Sequence, residues 1–174
     1  GFSSAVVSAH QSIVAQYGTP YIVTGASSPI ITRRDDVDTS TIFHYCPTTD
    51  DYGRQTTLFT SEVIRPAVQE RYGFPADRPL RMALIYQDSP YGKGVQTAVL
   101  ETIEKENLPI VVVAQETFKM GETDFRTVLT RVKAAKPDVV YPATFLNEQI
   151  PLVTQARRDV GVNAIFLAVE CNDD

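Results

Sequence analysis

The sequence predicts an α/β fold built as a doubly wound parallel sheet, and two observations carry that prediction. Short apolar runs alternate with stretches of helical period along nearly the whole chain, the order expected when crossover helices link successive strands. The runs themselves, such as YIV, MALIY and IVVVA, are continuously apolar, which marks strands covered on both faces.

The elements follow in order. A helix over 4–17 gathers Val6, Val7, Ala9, Ile13 and Val14 near one face, with Gly18 as its stop. PYIVT is a buried strand at 20–24, and it ends on the small, hydroxyl-bearing turn Gly25-Ala26-Ser27-Ser28. RRDDVDTS reads as a solvated loop rather than a metal site. TIFHYCP is a strand at 41–47, with Cys46 as a buried thiol and His44 as strand packing. TTDDYG opens a long helix that runs to QERYG. Pro66 lies inside it without the amide that would bond back to Glu62, so a kink or an early end is expected.

Beyond the proline-rich FPADRP come strands at 80–87, 109–118, 138–142 and 164–168. Ser89 as cap and Pro90 at the first helical position start the helix after the first of these, and Val95, Val99 and Ile103 give it one stripe. The helix from GETDF carries Phe125, Val128, Leu129 and Val132 at i, i+3, i+4 and i+7. A last helix runs through PLVTQARRDVG.

The break between 47 and 53 divides the chain. Residues 1–47 are expected to be the remainder of one lobe and 48–174 a second lobe, with the strand at 20–24 paired to 41–46 in a sheet of its own. The chain opens on a helix cap with neither Met nor a leading strand, and it stops at ECNDD just after a strand. It is therefore expected to be a piece of a longer protein.

Of the 174 residues, 43% are hydrophobic and 21% charged, enough apolar content for a packed core. The net charge of −5 argues against nucleic acid as a partner. No apolar run reaches the roughly 18 residues of a membrane span. Two cysteines, Cys46 and Cys171, are too few for a disulfide framework or a zinc site, and no metal or cofactor is expected.

Open α/β sheets bind ligands at the carboxyl ends of their strands. Those ends carry Gly25 to Ser28, Ser89-Pro90-Tyr91, Thr144-Phe145 and Glu170, while Ser3 and Ser4 begin the first helix. Helix-start amides, the positive dipole end and hydroxyls make an anion receptor sized for a carboxylate. Glu170 is the acid among them that could hold an ammonium. An anionic group at one point and a cationic one at another describe an amino acid. Each residue alone has a plainer reading: serine as cap, Tyr91 as packing, Glu170 as surface. The chain has no G-x-G-x-x-G after a strand, P-loop, G-x-S-x-G elbow or H-E-x-x-H. His10 on a helix and His44 on a strand do not read as general bases, and no enzymatic activity is expected.

Four stretches resemble a known family, the type I periplasmic binding proteins of branched-chain amino acid ABC transporters. They are SSAVVSAHQSIVAQYGTPYIVTGASSPIIT, ALIYQDSPYGKGV with its Y-G-x-G motif, FKMGETDFRTVLTRVKAAKPDVVY with G-x-x-D-F, and LVTQARRDVGV. The resemblance implies two lobes closing on a small ligand, and an extracytoplasmic location with or without a lipid anchor. It also implies a membrane permease as partner. By the same resemblance, Ser4 binds the ligand carboxylate, Gly25 and Ser27 contact the amino-acid moiety, and Tyr91 faces the cleft from the second lobe. Glu170 binds the ammonium. Phe145 falls where many members carry a tyrosine, so a hydroxyl contact is absent there. A ligand-sensing domain of a regulator or receptor on the same fold, or a flavodoxin-like enzyme, are the alternatives from other classes.

Overall fold

The computed structural model describes residues 1–168. Two parallel sheets organise it. β1 (Tyr21–Val23) pairs with β2 (Ile42–His44) in a two-stranded sheet, with Ile22 opposite Phe43. β3 (Leu80–Gln87), β4 (Ile110–Phe118), β5 (Val139–Ala143) and β6 (Ile165–Phe166) form a second sheet in the order β4-β3-β5-β6. The separate pairing of the first two strands is the arrangement expected from the chain order, although β2 and β6 are shorter than their apolar runs.

The larger sheet is covered on both faces, which explains its unbroken apolar strands. Alternate residues of β3 point to opposite sides. Met82 and Leu84 pack with Tyr91, Val95 and Val99 of α4 (Pro90–Lys105) and with Tyr141. Ala83 and Ile85 pack with Phe125, Leu129 and Val132 at the start and along α5 (Arg126–Ala134), and with Leu152 of α6 (Leu146–Gln155). Pro142 is tolerated in β5 because β6 pairs only with Val139 and Val140, so the missing amide falls beyond the end of that ladder.

Helix α1 (Ser4–Tyr17) ends where expected, with Gly18 in the left-handed conformation at φ 59°. Its buried face differs from the expected one. Ser4, Val7 and Gln11 are buried, whereas Val6 and Ile13 are 48% and 59% exposed. A two-stranded sheet is too narrow to cover a wide apolar stripe, and the buried Gln11 side chain instead donates to the Ile31 carbonyl.

Pro66 does not end its helix. α2 (Thr49–Phe59) runs through a π-helical turn, Thr60–Ile64, into α3 (Arg65–Tyr72). The wide turn inserts a residue just ahead of the proline, which absorbs the amide that Pro66 lacks. The last helix also departs from expectation. α6 starts at Leu146, five residues before Pro151, and it too finishes on a π-helical turn, Ala156–Val160.

The Y-G-x-G stretch is a packing device. A Cβ on Gly92 would lie 2.0 Å from the Gln87 carbonyl oxygen, and one on Gly94 would lie 2.3 Å from the Thr49 hydroxyl. The first glycine lets α4 turn directly off the end of β3. The second lets α2 dock on α4, helped by Gly53, whose Cβ would sit 2.5 Å from that of Ala98.

Candidate functional site

A cleft of about 600 Å³ opens at the carboxyl ends of the strands. Phe2 and Ser3, just ahead of α1, form one wall. The turn after β4 (Met120 to Thr123) and the start of α6 (Phe145 to Glu148) form the other.

Of the six residues singled out in the sequence, Phe145 lines this cleft, and Gly25 and Tyr91 touch its lining through Phe2 and Phe145. Ser4 and Ser27 are buried in the joint between α1, the turn after β1 and α2. Ser4 is 2% exposed, and its Oγ accepts the Ser28 backbone N–H at 3.1 Å, joining the start of α1 to the turn after β1. Ser27 is equally buried, and its carbonyl accepts the Thr49 N–H at 2.8 Å, joining the same turn to α2. Gly25 is covered by the Phe2 ring, which a Cβ there would meet at 2.6 Å. Tyr91 is 2% exposed and stacks on Phe145, with ring centroids 5.0 Å apart. Phe145 lines the cleft itself and meets Phe2 at 6.0 Å. The sixth residue, Glu170, lies outside the described residues, as does Cys171.

Two smaller expectations change. His44, far from the hydroxyl turn in sequence, places Nε2 2.6 Å from the Ala26 carbonyl oxygen. Cys46 lies past the end of β2 and is partly rather than fully buried, with Sγ 3.7 Å from the same carbonyl. The turn from Gly25 to Ser28 is thus gripped from α1, α2 and the end of β2.

On the opposite wall the charges are acidic. Glu122 Oε1 accepts the Thr123 and Asp124 N–H groups at 2.9 and 3.1 Å. The Arg126 guanidinium beside Asp124 holds that carboxyl down at about 2. Glu148 is 4% exposed and binds three backbone and side-chain donors. Sequence reading missed Phe2, Met120, Gly121 and Glu148. The Glu148 signal existed, an acid three residues after Phe145, but placing the helix start near Pro151 hid its position in the first turn. Among the described residues no cluster of His, Cys, Asp and Glu could hold a metal ion, and no helix is long and apolar enough to cross a membrane.

The family model described as "Periplasmic binding protein" matches residues 1–173. The chain belongs to the periplasmic binding protein family. Its parallel sheets and mixed α/β order are those of the type I members. An amino acid binding protein of Pseudomonas aeruginosa is 26% identical over 166 residues, covering 95% of this chain and 39% of that protein. A solute binding protein of an R. palustris ABC transporter, solved in complex with benzoate, superposes with a TM-score of 0.71 at 18% identity, over 94% of this chain and 40% of that one. The branched-chain amino acid transporter substrate binding protein of Streptococcus pneumoniae, solved with isoleucine, gives 0.67 at 24% identity, over 95% and 41%. The last two likenesses concern the fold. The chain spans 24% to 40% of the length of the curated relatives it matches.

Proposed function

We propose that this periplasmic binding protein chain serves an ABC importer as part of its extracytoplasmic solute-binding protein, and that it takes an amino acid or related small carboxylate. Residues 1–47 belong to one lobe, residues 48–174 to the other, and the ligand sits in the cleft between them, with the membrane permease receiving the loaded protein. The chain acts by binding and release, without catalysis and without a cofactor.

The observation that supports this reading is a cleft walled by Phe2, Ser3 and Phe145, from elements far apart in sequence. Gly25 and Tyr91 are in contact with that wall, and Ser4 is tied to the turn after β1. The start of α1 has no acidic residue in its first turn, so its positive dipole end is available to a carboxylate. Across the cleft, the apolar faces of Phe2 and Phe145 suit an aliphatic or aromatic side chain. Ligand entry requires the Phe2 ring to turn away from Gly25, which exposes the turn behind it. Glu170 completes the site as the ammonium partner when the ligand is an amino acid.

The isoleucine and benzoate complexes of fold neighbours support a carboxylate as the common element. Denaturing the full-length protein, purified without added ligand, and identifying the released small molecules by mass spectrometry tests this directly. The expected product is one amino acid or monocarboxylate, near one equivalent, and calorimetry with leucine, isoleucine and benzoate should find binding. A nucleotide or sugar in its place would overturn the assignment.

A further inference from the structure

Glu148 does more in this structure than begin a helix. Its Oε1 accepts the Gln87 side-chain N–H at 2.8 Å and the Gly121 backbone N–H at 2.9 Å, while Oε2 accepts the Phe145 N–H at 3.1 Å. These donors belong to three separate segments: the end of β3, the turn after β4 and the start of α6. Two of them, Gly121 and Phe145, stand in the cleft wall. The far end of the turn is tied separately to the end of α6, where Gln155 donates to the Thr123 carbonyl and accepts the Phe125 N–H, each at 2.7 Å. Glu148 holds the near end, at Gly121. Gly121 is in the left-handed conformation at φ 79°, and a backbone bond from Glu122 N to Lys119 O at 3.1 Å closes the turn.

Bonds to a buried carboxylate are short, directional and stronger than neutral ones, so one anion with three donors fixes the relative position of all three segments. A binding wall is useful only if it stands at a fixed place, because ordering a loose wall subtracts from affinity. We propose that Glu148 is the positioning residue of the cleft, setting the distance between the turn at 119–123 and the start of α6. Its effect on affinity rests on the ligand reading above; its effect on wall geometry does not.

Two substitutions separate positioning from simple capping. In Glu148→Gln the side chain has one acceptor oxygen and an amide that faces a donor, so the three bonds cannot all survive. In Glu148→Asp the carboxylate remains but is one methylene shorter. An aspartate at the same helical position can still cap, since Asp51 accepts the Thr48 N–H at 2.9 Å at the start of α2. The shorter side chain keeps the Phe145 bond and loses its reach to Gly121 and Gln87.

Amide hydrogen exchange on the unliganded chain reads this out residue by residue, and calorimetry with leucine or benzoate reads the affinity. Glu148→Asp should exchange the Gly121 amide about 10- to 100-fold faster, in line with the loss of one charge-assisted bond. Glu148→Gln, whose one oxygen can serve Gln87 and Gly121 together, should instead lose its protection at the Phe145 amide. Amides of β3 and β5 should be unchanged, and Phe145 should stay protected in Glu148→Asp. Whichever probe binds the parent should bind both variants about 10-fold more weakly. Parent-like protection of Gly121 in Glu148→Asp, or opening of β3 and β5 together with Gly121, would overturn the proposal. If the parent binds neither probe and the exchange pattern holds, the positioning role stands and the choice of ligand falls.

Discussion

Replacing Gly92 with alanine should cost about 3 kcal/mol or more of stability, the upper end of overpacking effects. The new Cβ would sit 2.0 Å from the Gln87 carbonyl oxygen and 2.8 Å from the Gln87 nitrogen. Both are backbone atoms of a strand packed on two sides, so neither can swing aside. Alanine's intrinsic helix advantage of about 1 kcal/mol offsets only part of this. Gly94→Ala is the control. Its Cβ would meet the Thr49 side chain at 2.3 Å, a group that can shift, so about 1–2 kcal/mol is expected. Urea midpoints for the two variants should fall in that order. Equal losses would mean that α4 slides freely along β3. Because Tyr91 precedes Gly92, displacement of α4 should also move the Tyr91–Phe145 stack and weaken ligand binding.

The second large effect appears at high pH. Tyr141 is 1% exposed in the middle of β5, and desolvation pushes its phenol from an ordinary value near 10 up to about 12, the nearby Thr56 side chain offsetting a little of the rise. A folded-state pKa above the unfolded one means that the contribution is complete below pH 10. It is lost as pH rises from about 10 to about 12, when the unfolded chain releases a proton that the folded chain keeps. A rise of that size corresponds to about 2–3 kcal/mol. Other tyrosines and lysines titrate in the same range, so the measurement is a difference. Between pH 9 and pH 12 the parent should lose about 2–3 kcal/mol more than Tyr141→Phe does. Equal alkaline losses in the two proteins would place the Tyr141 hydroxyl in contact with water.

Much of the fold was legible because its signals are local. The extent of the helix at 4–17, the stop at Gly18, the Ser89-Pro90 start and the run at 80–87 each depend on a few neighbouring residues, and each stands where expected, although the buried face of the first helix does not. What escaped depends on partners distant in sequence. A helix can pass a proline when a π-helical turn takes up the missing bond, as it does before Pro66, and no local pattern announces that choice. Phe145 in an extended conformation, with its amide held by Glu148, starts α6 well before Pro151, where the apolar pattern begins. In the site, the hydroxyl turns were visible as residue types at strand ends. Their burial was not, because it depends on how α1, α2 and α6 approach one another.

On the proposed function, a small carboxylate binds between the turn after β1 and the wall formed by the ends of β4 and β5. Titrating leucine, and separately benzoate, into isotope-labelled protein while following backbone amide resonances tests it most directly. The expected shifts fall on Ser3, Ser4, Gly25, Ser27 and Ser28 together with Tyr91, Gly121 and Phe145, both walls responding at the same ligand concentration. Saturable shifts confined instead to the groove at Phe74, Asp138 and Phe166, at the opposite end of the larger sheet, would contradict it.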